Sequence, residues 1–354
     1  MNRIISALLC LLLTAGLAHG MVPAAGEAQG GAPELRGPFL FLSTPYFEDG
    51  GLDAETLAAE ARFVDDCGAA GMVWPSSDQE LLSAKEYRQG VDAVIAAMKG
   101  RRARLAICCN AASTEAIIAN CRYAEKKAAQ LGVDILLFAR PAFNLKTLDD
   151  LVASLDAIGA AIHRPFIFQT WLRKGFPNLP AAEMVALAKK YPGIMGYVKC
   201  EVPGAKCNDY IAEMIAAKPD IHAVFSAWGS WQWLYQARQL GTDGVLTQRP
   251  AYADVYAYIW REIQNGSDKA DAAFGQMMSM LLMRSTIEAP DEHRSFHLYV
   301  LCKRGIFKNM VSRVADKKSP GGWKLHVQQL TDSQRAEVDL RLKALEPYMA
   351  IPLT

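Results

Sequence analysis

Several familiar signatures are missing from this 354-residue chain. No G-x-G-x-x-G and no G-x-x-x-x-G-K occurs, so the usual phosphate-cradling turns of nucleotide-binding sheets are absent. No C-x-x-C pair occurs, and the eight cysteines show no regular spacing, which argues against a zinc knuckle and against a disulfide framework. Charge of one sign is not in excess: 38 Lys and Arg face 37 Asp and Glu, for a formal net charge of +1. With no clustered basic stripe between aromatics, nucleic acid is not an expected partner. Histidine is scarce at six residues. The one metal-capable spacing, His293 and His297, carries Arg294 where a metalloprotease helix places Glu, and no third ligand is evident. No metal and no organic cofactor is expected.

What is present begins with a targeting pattern. Arg3 precedes an apolar stretch at 4–17, and Leu17-Ala18-His19-Gly20 offers a small-residue exit. Residues 1–20 read as a secretory signal peptide, with an uncleaved N-terminal anchor as the alternative. Residues 21–36, rich in Gly, Ala and Glu, read as a flexible leader. No later stretch has 18 unbroken apolar residues, so the chain after signal cleavage is expected to be soluble, without a membrane partner, and exported to a periplasmic or secreted location. Export permits disulfides, and Cys200 and Cys207 are near enough in sequence to pair across a loop.

From residue 37 two patterns alternate. Short apolar runs at 39–42, 71–74, 105–109, 135–138, 166–168, 194–198, 222–225 and 244–246 read as strands buried on both faces. Between them lie amphipathic helices opened by Asp53, by Ser83 with Glu86, by Ser113, by Thr147 with Asp150, and by Pro180. Eight such units recur at about the thirty-residue spacing of a βα repeat. They predict an α/β fold, a (β/α)8 barrel over 37–265, in preference to an open doubly wound sheet, which would normally carry a Gly-rich turn. After Glu262 the pattern reads as helical only, giving a C-terminal helical region over 266–354 packed on the barrel. Its Met-rich face (Met277, Met278, Met280, Met283) reads as helix packing, and 317–322 as a turn.

In such a barrel, chemistry gathers at the C-terminal ends of the strands. Those ends carry hydroxyls (Thr44, Ser76, Ser77), arginines (Arg140, Arg173, Arg249) and one lysine, Lys199, closing the sixth apolar run. There is no histidine and no pair of carboxylates at the rim. A lysine at the end of a buried strand either snorkels to water or is used, and a desolvated amine condenses with ketones. Ser76 and Ser77 can donate to a carboxylate and Arg173 can clamp one, so the set suits a 2-oxo acid. Asp78, Glu80 and Glu201 read as supporting or solvated acids.

The order of these pieces resembles the dihydrodipicolinate synthase / N-acetylneuraminate lyase family of Schiff-base aldolases over about 37–345. Ser43-Thr44-Pro45-Tyr46 resembles the family's opening T-P-F, and Pro75-Ser76-Ser77-Asp78-Gln79-Glu80 lies where it carries G-T-T-G-E. Arg140-Pro141-Ala142-Phe143-Asn144 matches T-P-Y-Y-N, the segment from Phe168 to Gly175 lies over Y-N-x-P-x-R-T-G, and Gly196-Tyr197-Val198-Lys199 over the strand that holds the Schiff-base lysine. The resemblance implies Lys199 as the iminium-forming residue, Ser76, Ser77, Thr44 and Arg173 as substrate-binding residues, and a tetramer of barrels. Two departures stand out: the family's tyrosines correspond to Phe168 and Phe143. The proton then has to come from Tyr46, Tyr197 or water.

The expected function is a lyase or aldolase acting on a small 2-oxo acid or sugar acid. The alternative is an exported binding or sensory protein that reuses the barrel pocket without turnover.

Overall fold

The alternation of buried runs and capped helices closes on itself. The computed structural model describes residues 33–170, 178–202, 206–227, 230–285, 287 and 296–353. Its first half holds β1 (Gly37–Phe41), α1 (Ala54–Asp66), β2 (Gly71–Trp74), α2 (Ala84–Ala97), β3 (Arg104–Cys108), α3 (Thr114–Leu131), β4 (Ile135–Ala139) and α4 (Leu148–Ala161). Then come β5 (Phe166–Gln169), α5 (Ala181–Lys190), β6 (Tyr197–Cys200), α6 (Lys206–Ala216), β7 (Ala223–Ser226), a short α7 (Trp233–Tyr235), β8 (Gly244–Thr247) and α8 (Ala253–Gln264). The eight strands form one closed parallel barrel in sequence order, with β8 returning to β1. This is the (β/α)8 architecture that the repeat spacing predicts.

The helices start where their sequences say. Asp53, Ser83, Ser113 and Thr147 each accept a hydrogen bond from the backbone N–H three residues on. Ser83 with Glu86 and Thr147 with Asp150 are reciprocal capping boxes.

Strand alternation sorts side chains between two cores. Phe39, Phe41, Val73, Ala106, Cys108, Leu136, Phe138, Ile167, Tyr197, Ala223, Phe225 and Leu246 fill the lumen. Their neighbours, such as Leu40, Trp74, Ile107, Phe168, Val198 and Val245, pack outward against the helices. Inside, Phe39 meets Phe225 edge-on at 5.2 Å and Phe41 meets Phe138 at 5.3 Å, so the lumen is a packed aromatic core rather than a channel. Closure depends on two glycines at the β1–β8 seam. A Cβ at Gly244 would stand 1.9 Å from the Gly37 carbonyl oxygen, inside any tolerable contact.

Three expectations are corrected. The C-terminal region is not helical only. It holds α9 (Lys269–Leu281), α10 (His297–Lys303) and α11 (Asp332–Leu345), but also an antiparallel hairpin of β9 (Val311–Ala315) and β10 (Trp323–Val327). The expected turn over 317–322 is the tip of that hairpin. Its strands escape a periodicity reading because β9 buries Val311, Ser312 and Arg313 in succession, and the alternation of β10 is only five residues long and largely solvent-exposed. Second, the leader is not flexible to its end: Leu35 is buried in the lumen cluster, and the Pro33 carbonyl accepts a hydrogen bond from Tyr197. Third, Cys200 and Cys207 are free thiols, and the Cys207 S–H faces the Cys200 carbonyl at 3.9 Å. Residues 1–32, with the expected signal peptide, lie outside the described residues.

A fully buried ion pair clasps the end of the chain to the barrel. Arg304, just past α10, donates Nη1 to Asp254 Oδ1 at 2.9 Å and Nη2 to Oδ2 at 2.6 Å, both side chains wholly shielded from solvent. Its guanidinium also reaches the Ala251 and Ile351 carbonyls, and Asp254 accepts from the Ala350 and Ile351 N–H groups. These bonds offset the desolvation of both charges, although Arg304 Nε is left without a hydrogen bond. Met277, Met280 and Met283 are buried, as helix packing requires.

A further acid lies wholly buried in the fold. Glu60 on α1 has the Ser43 N–H and hydroxyl as the nearest donors to its carboxyl group. Burial holds this carboxyl well above the usual carboxylate range; the nearby Ser43 N–H and hydroxyl oppose that shift, and the Asp78 charge adds to it.

Two predictions follow from the packing and one from this acid. Gly244→Ala should destabilise the fold by about 3 kcal/mol or more in chemical denaturation, because the clash is with backbone. Gly275→Ala, mid-helix in α9 with nothing within 4 Å of the added Cβ, should instead gain about 0.5–1 kcal/mol. For Glu60 the folded state holds its proton after the unfolded state has lost it. Folding stability from this group is therefore full below the unfolded value of 4.5 and falls as pH rises above it. Glu60→Gln should flatten that fall, which is at most about 1.4 kcal/mol per pH unit, when unfolding free energies are compared from acid to alkaline pH.

Candidate active site

Strand alternation places Lys199 inside the barrel. On β6, Tyr197 and Lys199 point inward while Val198 and Cys200 point to the helices. Lys199 sits near the C-terminal end of the strand and is 5% exposed. Its floor is aromatic: Nζ stands 4.9 Å from the centre of the Phe41 ring, itself packed edge-on to Phe138. Cys108 is the lumen residue at the same end of β3. Burial pushes its thiol up to about 12, so it is no competing thiolate beside the amine.

Among the described residues the amine has one acidic partner. Lys199 Nζ donates to Glu201 Oε2 at 2.9 Å, and the Gln169 side-chain amide donates to the same oxygen. Gln169 is the register partner of Lys199 across the β5–β6 pair, so the contact follows from the sheet itself. Thr170 then locks the two strand ends together. Its N–H and hydroxyl donate to the Lys199 carbonyl at 3.0 and 3.3 Å, and its Oγ1 accepts the Glu201 N–H at 2.6 Å. Reading Glu201 as a supporting or solvated acid understates it: it is the acid in contact with the lysine. The signal available in the sequence was its place two residues after Lys199.

The remaining candidates are spread unevenly. Ser76, at the end of β2, accepts from Gln248 Nε2 at 2.9 Å, a bond that ties the mouth ends of the second and eighth strands. Ser77 begins the 3₁₀ turn Ser77–Leu81. Thr44 is buried behind the strands, where its hydroxyl accepts from the Trp74 indole at 3.3 Å. Tyr46 is buried beneath the C-terminal hairpin, and its hydroxyl donates to Asp78 at 3.4 Å. Tyr197 faces the lumen from the start of β6, and its hydroxyl reaches the Pro33 carbonyl at 3.3 Å. Burial pushes that phenol well up, and its neighbours are His222 and Arg104, at the N-terminal ends of the strands. The structure thus separates Tyr197 from Lys199 by the depth of the barrel. Arg173 lies outside the described residues.

Two further features bear on the site. Phe168, which stands where the family has a tyrosine, faces the helical layer and not the lumen. The inward residue next to the lysine on β5 is Gln169. At the rim, Arg140 ends β4, pairs with Glu80 at 2.6 Å and covers the Phe143 ring at 5.3 Å. Its N–H donates to Asn110 Oδ1 at 2.9 Å, which fixes the strand end. Among the described residues no group of three or more His, Cys, Asp or Glu side chains is gathered to hold a metal, and His297 instead faces the Tyr252 hydroxyl at 3.1 Å.

A profile of the dihydrodipicolinate synthetase family matches residues 34–291. The 4-hydroxy-tetrahydrodipicolinate synthase of Methanococcus aeolicus is 26% identical over 162 residues, which is 45% of this chain and 54% of that protein. The chain thus spans about half the length of this curated relative. The fold is similar to that of dihydrodipicolinate synthase from Rhodopseudomonas palustris, with a TM-score of 0.72 at 18% identity, covering 89% of this chain and 99% of that one. It is similar to Proteus mirabilis N-acetylneuraminate lyase, with a TM-score of 0.70 at 15% identity, covering 88% and 99%. The match extends over the whole barrel, including the strand that carries Lys199, and on it the chain belongs to the dihydrodipicolinate synthetase family.

Proposed function

We propose that the protein is a lyase that forms a Schiff base between Lys199 and a 2-oxo acid. The observation that carries this reading is Lys199 itself: an inward lysine at the C-terminal end of β6, almost dry, above an aromatic floor. An amine so placed can attack the keto carbon, and the resulting iminium acts as the electron sink for making or breaking the adjacent carbon–carbon bond. Family membership supports the same reading. So do the names of two similar proteins, a synthase and a lyase.

In this reading Ser76 and Ser77 hold the substrate carboxylate, and Arg173 orients the second reactant. Arg140, with its guanidinium at the rim, adds a cation for an acidic or hydroxylated tail, so a sugar acid also suits the mouth. Binding a small acid without turnover is the competing function, and it requires no covalent bond to Lys199. The protein is further proposed to be exported and to assemble as a tetramer, on the N-terminal charge-and-apolar pattern and on the family resemblance respectively.

Reduction with borohydride in the presence of pyruvate should add one reduced pyruvate unit to the intact mass, and Lys199→Ala should abolish the adduct. Ligand-dependent thermal stabilisation with no adduct from any of several 2-oxo acids would refute the lyase and favour the binding protein. Native mass spectrometry of the chain recovered from the cell envelope should find four copies, each lacking residues 1–20; a monomer, or a chain that retains those residues, would overturn the respective proposal.

A further inference from the structure

A Schiff-base enzyme has a proton problem at both ends of its first step. The lysine must lose a proton to become a nucleophile, and the carbinolamine oxygen must gain one to leave as water. Neither Phe168 nor Phe143, at the two positions where the family carries tyrosine, has a hydroxyl to do this, and Phe168 faces away from the lumen. Tyr197 is engaged at the opposite end of the barrel. The group in hydrogen-bond contact with the amine is a carboxylate.

We propose that Glu201 is the acid–base catalyst for Lys199. The inference rests on the Schiff-base reading above and assigns its proton transfers. Glu201 Oε2 is 2.9 Å from Nζ, a distance at which a proton passes directly. The carboxylate is half-sheltered, with its side chain 24% exposed against 7% for the lysine, so it connects a dry amine to the solvated mouth. Two elements fix its geometry independently of Lys199: the Gln169 amide on the reacting oxygen and the Thr170 hydroxyl on its backbone N–H. A solvated loop acid would have neither.

The steps balance without any other reagent. Glu201 takes a proton from the Lys199 ammonium, leaving a carboxylic acid and a neutral amine. The amine nitrogen forms a bond to the keto carbon as the C=O π bond opens, and Glu201 returns its proton to the new alkoxide. The nitrogen, now carrying two protons and a positive charge, gives one back to the carboxylate. The acid then protonates the carbinolamine hydroxyl, the C–O bond breaks, water leaves, and the nitrogen lone pair closes the iminium. Glu201 begins and ends as a carboxylate. The positive charge begins on the ammonium and ends on the iminium, beside the same oxygen.

Gln169 is a positioning residue in this scheme. Its amide donates to the oxygen that faces Nζ, so it holds that oxygen on the lysine and stabilises it as an anion between transfers. Among the described residues the titratable groups that face the pair from other elements are Cys207 from α6 on the Glu201 side and Cys108 of β3 on the Lys199 side, with Arg140 near Cys108. Both thiols are pushed up by burial and stay neutral.

The test follows the rate of pyruvate adduct formation under cyanoborohydride trapping, read by intact mass from mildly acid to alkaline pH, on the full chain. Glu201→Gln keeps the shape and the hydrogen bonds but cannot carry a proton. It should slow trapping by about 10²- to 10⁴-fold and change the shape of the pH profile. Glu201→Asp, which keeps a carboxylate, should retain the wild-type shape at reduced rate. Added formate should restore part of the rate to Glu201→Ala, a rescue that a purely structural role would not show. If the wild type traps pyruvate and Glu201→Gln traps it as fast with the same pH profile, the inference fails while the Schiff base stands. If formate leaves a folded Glu201→Ala unchanged, it also fails. If the wild type itself gives no adduct, the Schiff-base reading falls and takes this role with it.

Discussion

A positive charge removed from water must be compensated, and the Lys199–Glu201 contact is how this barrel does so. The lumen beneath the lysine is built of Phe41, Phe138 and Cys108, none of which stabilises a cation as water does. A cation over an aromatic face recovers part of the loss, as Lys199 over Phe41 does, but the carboxylate carries the larger share. The other polar contacts at this end of the barrel can be read as consequences. Glu201 has to be aimed, so Gln169 and Thr170 aim it. Gln169 has to face inward, so β5 and β6 pair in the register that sets it beside the lysine. That register in turn turns Phe168 outward into the helical layer.

Much of this was legible in the sequence. A strand buried on both faces shows as an apolar run, and the runs together with four capped helix starts sufficed for the eight-stranded barrel. Lys199 was legible because it ends such a run. What a run does not show is depth. Tyr197 and Lys199 share a face by the period of two, yet one hydroxyl meets the Pro33 carbonyl and the other side chain meets the mouth. Parity hid a second fact. Aligning Phe168 with a catalytic tyrosine assumes that it faces the lumen, and a motif match does not carry that information. Thr44 failed in the same way, since its hydroxyl serves the Trp74 indole behind the sheet. The hairpin was missed for a different reason: β9 buries three consecutive residues, one of them an arginine, and the short alternation of β10 stands largely exposed.

The two ends of the barrel have separate tasks. At the N-terminal end Leu35 and Tyr197 close the lumen against the incoming chain, and the Gly37–Gly244 seam lets the first and last strands meet. These are packing contacts, intolerant of added volume. At the C-terminal end the contacts are polar and cross between units, as in Gln248 to Ser76, Arg140 to Glu80 and the Gln169–Glu201 pair. Such contacts can be exchanged without disturbing the seam, which is why one barrel supports different chemistries at its mouth.

The hairpin contributes one buried side chain of wide reach. Arg313 donates to the Gly50 and Leu81 carbonyls, pairs with Glu86 at the start of α2, and lies over the rings of Tyr46 and Trp323. It thereby fastens the loops after the first two strands from a point 227 to 263 residues further along the chain. During synthesis those loops leave the ribosome long before their anchor exists. The barrel strands can pair as they emerge, but this corner of the mouth acquires its final shape only when the last quarter of the protein has been made. Completion of the mouth is therefore a late event in the life of each molecule. A chain interrupted before the hairpin would be a barrel with its first two loops untied.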